Sequence, residues 1–203
     1  KNEGFYQDNS GINIAEKNSS FCELTGLYWA WQNGIFKNNQ YVGLVHYRRY
    51  FAGKKLCLKK QHIASESELL SLLEKYEAIL PKKRNYFIES IYSHYQHAHY
   101  VKDLNCTREI ISELYPEYIT SFDAIMQGRK IHIYNMFVMS SEKASEYCEW
   151  LFPILFELER RIDITQYDSY QKRVFGFIAE RLFNVWLVYH QLTFCEIPVV
   201  NLE

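Results

Sequence analysis

The 203-residue chain has no apolar run of membrane-spanning length, and nothing in it reads as a signal peptide. This excludes a helical membrane protein and predicts a cytoplasmic one, leaving peripheral attachment to the inner face of the membrane open. There is no basic surplus: Lys and Arg number 23 against 24 Asp and Glu, a formal net charge of −1. A nucleic-acid partner is therefore not expected. Four prolines and eight glycines are too few for a linker or low-complexity tract, so one domain over residues 1–203 is expected. The five cysteines, at 22, 57, 106, 148 and 195, are odd in number and never spaced C-x-x-C. That argues against a zinc site or a disulfide framework and for reduced thiols. G-x-G-x-x-G, Walker and G-x-S-x-G signatures are also missing.

What is present is a large apolar share, 48%, and an aromatic surplus of 17 Tyr and 13 Phe. Rings in that number fill cores or stack on sugars and bases. Ser20 and Glu23 have capping-box spacing before Leu24, Leu27, Tyr28, Trp31 and Ile35, which predicts a helix over 21–36. Tyr41 to Val45 reads as a short buried strand, and 77–80 as a second strand after a helix over 66–76. Residues 90–127 are helical in pattern, with breaks near 103–105 and at Pro116. A strand over 131–139 with Asn135 at its middle, helices over 142–161 and 167–190, and a last strand over 193–197 complete the reading. Helices alternating with short apolar strands predict an α/β fold with a mixed sheet and a helix-rich C-terminal half.

Four constellations could carry chemistry. His46-Tyr47-Arg48-Arg49 follows the first strand, where α/β sheets bind ligands, and adjacent arginines there could clamp a diphosphate. A surface arginine beside a core ion pair is the plainer reading. Asn13, Lys17 and Asn18 precede a helix start that favours anions, or serve as turn and cap residues. His94, His97, His99 and Asp103 have spacing for a metal ligand set, a proton relay or an acceptor contact; histidines without a metal are the plainer reading. On the last long helix Val174, Ile178, Leu182, Val185 and Trp186 form an apolar stripe. Arg173, Phe177, Glu180 and Asn184 fall opposite it; Glu180 is a candidate base, or an ion-pair partner of Arg173 or Arg181.

Several blocks together resemble a bacterial capsule and exopolysaccharide glycosyltransferase family long catalogued as a domain of unknown function. They are Asn13-Ile14 with Lys17-Asn18, Cys22-Glu23-Leu24-Thr25 with Tyr28-Trp29-Ala30-Trp31, then Tyr41 to Phe51 with its H-Y-R-R-Y-F core, and Ile79-Leu80-Pro81. Further blocks are His94-Tyr95 with His99 and Asp103, Tyr134-Asn135-Met136-Phe137, and Tyr170-Gln171 with Arg173 to Leu182. The resemblance implies a Rossmann-like GT-A fold that moves a sugar from a nucleotide-sugar, UDP-linked, to a growing cell-surface polysaccharide or lipid-linked glycan. Some relatives resemble galactofuranosyltransferases. An inactive glycan- or nucleotide-sugar-binding module of the same fold is the alternative.

On this reading Asp103, Glu180 and His46 are the catalytic candidates. Asn13, Lys17, Arg48, Arg49 and Asn135 would bind the nucleotide-sugar, and His94 and His99 the acceptor. Relatives begin with a further strand, after which this sequence is expected to start, and H-Y-R-R stands where D-x-D, a divalent-metal handle, is expected. No cofactor is firmly implied and no metal ligand is assigned, while Mn or Mg is not excluded. Two arginines and a lysine can stabilise a leaving diphosphate instead.

Overall fold

The computed structural model describes residues 6–202. The chain first forms α1 (Asn18–Phe21), α2 (Leu24–Gln32), β1 (Tyr41–Leu44), β2 (Arg49–Leu58), β3 (Gln61–Ile63), α3 (Glu66–Leu73) and β4 (Ala78–Pro81). It continues with β5 (Arg84–Asn85), α4 (Ile91–Ala98), α5 (Val101–Leu114), α6 (Ile119–Gln127), β6 (Lys130–Ile131) and β7 (Phe137–Ser140). The last elements are α7 (Ser141–Arg161), α8 (Val174–Tyr189), β8 (Phe194–Ile197) and β9 (Val199–Asn201). The fold is α/β, a mixed sheet flanked by helices.

The central sheet has the order β1-β7-β4-β8. β7 is antiparallel to β1 and β4, and β8 is parallel to β4. Three strands therefore end at the edge where β7 begins. β4 is buried at every residue, as a continuous apolar run between two neighbours should be. β1 differs from the expected buried strand. It is an edge strand paired on one side, with Gly43 and Val45 exposed. An apolar run alone does not distinguish an edge from an interior position.

α8 is apolar nearly all round, with Phe175, Ile178, Leu182 and Trp186 fully or almost fully buried. It packs against α6 and α7, and each such large side chain contributes about 1.5–3 kcal/mol. Ser65 and Glu68 form a capping box on α3, while Ser90 and Ser140 cap α4 and α7 through their hydroxyls.

Three departures from the expected elements shape the site. The helix expected over 21–36 breaks at Cys22, whose φ is +54°. The Ser20–Glu23 capping box does not form: Ser20 donates back to the Lys17 carbonyl, and the Glu23 side chain turns to Asn135. The strand expected over 131–139 splits into β6 and β7 around Tyr134 and Asn135, both left-handed, at φ +77° and +53°. The break expected near 103–105 falls at His99–Tyr100, which puts Asp103 inside the first turn of α5. The β2–β3 hairpin and β9 were not expected, because lysines interrupt the apolar alternation of β2.

Candidate functional site

At the edge where β1, β4 and β8 end and β7 begins, the first two turns of α8 close a cavity of about 300 Å³. Its position beyond the carboxyl ends of the strands is where α/β sheets bind ligands. His46 follows β1, Arg49 opens β2, Arg84 and Tyr86 follow β4, and Tyr134 precedes β7. The break between α1 and α2 supplies Cys22 and Glu23; α4 and its C-terminal residue supply His94 and His99. Tyr170, Arg173, Gly176, Phe177, Glu180 and Arg181 complete the wall.

The left-handed pair Tyr134–Asn135 organises this wall. The Tyr134 N–H donates to Glu180 Oε1 at 2.8 Å. Its carbonyl lies 2.6 Å from His46 Nε2, so that nitrogen carries the hydrogen and Nδ1 is the basic one in the neutral ring. The Tyr134 ring lies 4.5 Å from the Arg49 guanidinium carbon. Asn135 Nδ2 donates to Glu23 Oε1 at 2.7 Å and to the Gly176 carbonyl at 3.2 Å. Two consecutive non-glycine residues at positive φ are strained, and here they connect four site side chains. Gly176 packs closely beside them: a Cβ there would lie 3.3 Å from Cys22 Sγ, so a side chain would press on that thiol.

The charges are unequal. Four arginines, Arg49, Arg84, Arg173 and Arg181, face two carboxylates, Glu23 and Glu180. That leaves two positive charges, which suits a diphosphate. Arg181, 2% exposed, donates to Glu180 Oε2 and the Phe177 carbonyl, both at 2.9 Å. Burial raises the pKa of the Glu180 carboxyl; Arg181 and the Tyr134 N–H oppose that rise. Glu23 Oε1 also lies 3.8 Å from His46 Nε2.

Burial depresses His99 to about 4, so its ring is neutral near pH 7. The Gln171 amide donates to the Ala98 carbonyl, which leaves its oxygen to accept from His99 Nδ1. His99 Nε2 is thereby a lone-pair acceptor, with the ring stacked on Phe177 at 4.1 Å. His94 stacks on Tyr86 at 3.8 Å and is also held below its usual pKa, by burial and then by Arg181.

Of the residues expected at a site, His46, Arg49, His94, His99 and Glu180 line this one cavity. The others require correction as to place. Asp103 is 1% exposed and away from the cavity, accepting from the Tyr167 hydroxyl at 2.9 and 3.1 Å. The helix break at His99 turns it into the core, so it does not share a proton with that histidine. Asn13 forms a local turn, donating to the Gly11 carbonyl and accepting from the Ala15 N–H. Lys17 pairs with Glu159 at 2.7 Å and lies over Phe21 and Phe156.

Arg48 is exposed, stacked on Tyr47, in an outer cavity that also touches Arg49 and Arg173. The two arginines therefore do not act side by side. Arg49 opens β2 and lines the cavity, while Arg48 lies in the tight turn from His46 to Arg49 that precedes the strand and stays outside. Asn135 is 4% exposed with its Nδ2 committed to Glu23 and Gly176, so it positions the wall and does not line it.

Glu23, Cys22, Arg84, Tyr86, Tyr134 and Tyr170 had no site role from sequence, while Arg181 is the ion-pair partner expected for Glu180. The signal for Glu23 was its place in a family block, obscured by its capping-box spacing. Among the described residues, no three His, Cys, Asp or Glu side chains converge closely enough to hold a metal ion. No described helix is long and apolar enough to cross a membrane.

A family model described as a domain of unknown function (DUF4422) matches residues 1–191. No curated protein matches the chain. Among solved structures, the chain is similar to the apo form of a protein described as the bifunctional glycosyltransferase WbbM, at 31% identity and a TM-score of 0.86. The match covers 97% of this chain and 39% of that one, so the chain spans well under half the length of that protein.

Proposed function

The chain belongs to the DUF4422 domain family, and from that membership and the chemistry of the cavity we propose that it transfers a sugar from a nucleotide-sugar donor. The donor is UDP-linked, and the sugar is a hexose of the galactofuranose class. The acceptor is a growing cell-surface polysaccharide or a lipid-linked glycan. Similarity to a protein described as a glycosyltransferase supports the reaction class. The observation that carries the reading is the convergence of two carboxylates and four arginines on one cavity at the ligand-binding edge of the sheet.

Transfer breaks the bond between the anomeric carbon and the diphosphate and forms one to an acceptor oxygen. Negative charge grows on the leaving diphosphate as that bond breaks. Arg49 and Arg173 line both this cavity and the outer one, which suits them to meet that charge. The faces of Tyr86, Tyr170 and Phe177 suit the apolar side of a sugar ring. Glu180 is the carboxylate we assign to the acceptor hydroxyl: burial makes it a stronger base, and the Tyr134 N–H and Arg181 hold it in place. Glu23 and neutral His99 hold sugar hydroxyls.

The test is a panel of UDP-, GDP- and dTDP-sugars, with nucleotide release and product mass measured for the wild type and Glu180→Gln. Release of UDP and addition of a sugar by the wild type, lost in the variant, supports the reading. Tight donor binding without release or product would favour the binding module.

A further inference from the structure

The β2–β3 hairpin projects beside the mouth of the candidate site. Phe51 at its base and Ile63 at its return are buried, while residues 54–62 between them are all exposed. Leu56 is 47% exposed and Leu58 42%; two residues apart on one strand, they share a face. Lys54 and Lys55 precede them, and Lys59 and Lys60 follow. No acidic residue occurs between Arg49 and Ser65, in a chain whose net charge is −1. The tip pairs Leu58 with Gln61, so Lys59 and Lys60 form a two-residue turn, both at positive φ, +45° and +64°. Asn-Gly is the sequence that adopts such a turn readily. Two lysines hold it here against backbone preference, which puts charge at the tip. Lys59 also lines the outer cavity with Arg48, Arg49 and Arg173, linking the hairpin to the site.

We propose that this hairpin docks on an anionic lipid surface, with Leu56 and Leu58 entering the headgroup region and Lys54, Lys55 and Lys60 meeting lipid phosphates. A purely electrostatic partner would use the lysines and leave the leucines in water. A purely apolar partner would have to desolvate the lysines. A charged, shallowly apolar bilayer surface satisfies both, the leucines adding burial to attraction by the basic side chains. Exposed Tyr47, with Arg48 stacked on it, extends the same surface toward the cavity. If the proposed transferase reading holds, docking here presents a lipid-carried acceptor to the site; the docking itself does not depend on that reading.

The experiment is sedimentation of the full chain with vesicles of phosphatidylglycerol and phosphatidylcholine, and with phosphatidylcholine alone. The wild type should sediment with the anionic vesicles, less so as salt rises, and stay in solution with the neutral ones. Lys54→Glu with Lys60→Glu should weaken binding at least about 10-fold, since each basic side chain near such a surface is worth roughly 5-fold. Leu56→Ser with Leu58→Ser should weaken it by a smaller, measurable factor. Unchanged thermal midpoints would show that both variants fold. The proposal is overturned if the wild type ignores anionic vesicles, binds both kinds equally, or binds as well after either double substitution. It is equally overturned if the leucine variant merely converts a dimer to a monomer. None of these outcomes bears on the sugar-transfer reading, because vesicle binding needs no donor.

Discussion

Asp103 and Glu180 are both carboxylates on helices, and burial raises the pKa of both, yet their surroundings differ in kind. Asp103 is sealed in the helical core with one neutral partner, the Tyr167 hydroxyl. Glu180 opens on a cavity, bridged by a buried arginine and a backbone N–H from a strained dipeptide. A shifted carboxylate becomes a candidate for chemistry when a ligand can reach it and fixed charges surround it. Burial alone produces the same shift in a core residue.

The largest effect should separate these two groups. Glu180→Gln should lower turnover about 1000-fold, within the range for loss of a general base, while donor affinity changes little. Asp103→Asn should leave turnover within about threefold, because Asn keeps an acceptor for Tyr167; its stability should change by about 1 kcal/mol or less. Steady-state kinetics with a urea melt for each variant checks both. The reverse pattern would erase the distinction.

A second contrast lies in the histidines. His132 is 2% exposed, donates from Nδ1 to the Pro81 carbonyl, and is depressed to about 4 by burial. Its folded pKa lies below its free value near 6.5, so the unfolded chain binds the proton more readily between the two. Its contribution is complete above about pH 6.5 and is lost as pH falls toward 4. Between pH 7 and 4.5 this amounts to about 2–3 kcal/mol. Partly exposed His99 adds to the loss in the same direction. Urea midpoints at the two pH values should fall for the wild type and fall less for His132→Gln. Glu68 and Glu157, held at about 2, lose their contributions below pH 4.5, outside this window.

The smallest effect tests the left-handed pair. Asn135→Gly removes the bonds to Glu23 and Gly176 but keeps the backbone conformation; Asn135→Ala removes the bonds and strains φ +53° as well. Ala should be less stable than Gly by about 1 kcal/mol, and both should slow turnover by loosening Glu23. Equal stability would mean that the conformation is not a constraint.

Much of the scaffold was legible in the sequence. The strand read over 77–80 from its apolar run is found at Ala78–Pro81. Helical period groups Arg173, Phe177, Glu180 and Asn184 opposite the apolar stripe; the first three line the cavity, while Asn184 is buried and bonds the His132 backbone. Glu23 was not legible, because the partner that turns its side chain is Asn135, 112 positions away. Nor was the break at Tyr134–Asn135: Asn adopts positive φ more readily than most residues, but a single Asn within an apolar run reads as part of a strand. Arg48 and Arg49 looked equivalent, because nothing in the sequence marked the His46–Arg49 turn that leaves Arg48 outside β2.

Under the proposed function, the cavity at the sheet edge binds the donor diphosphate. Calorimetric titration with the UDP-sugar identified from the donor panel tests it most directly, using the wild type, Arg48→Ala and the Arg49→Ala, Arg173→Ala double variant. The double variant should lose about 100-fold or more in affinity, as two charge-assisted contacts are removed. Arg48→Ala should stay within about threefold, since exposed charges contribute little. Wild-type affinity in the double variant, or a large loss in Arg48→Ala alone, would contradict it.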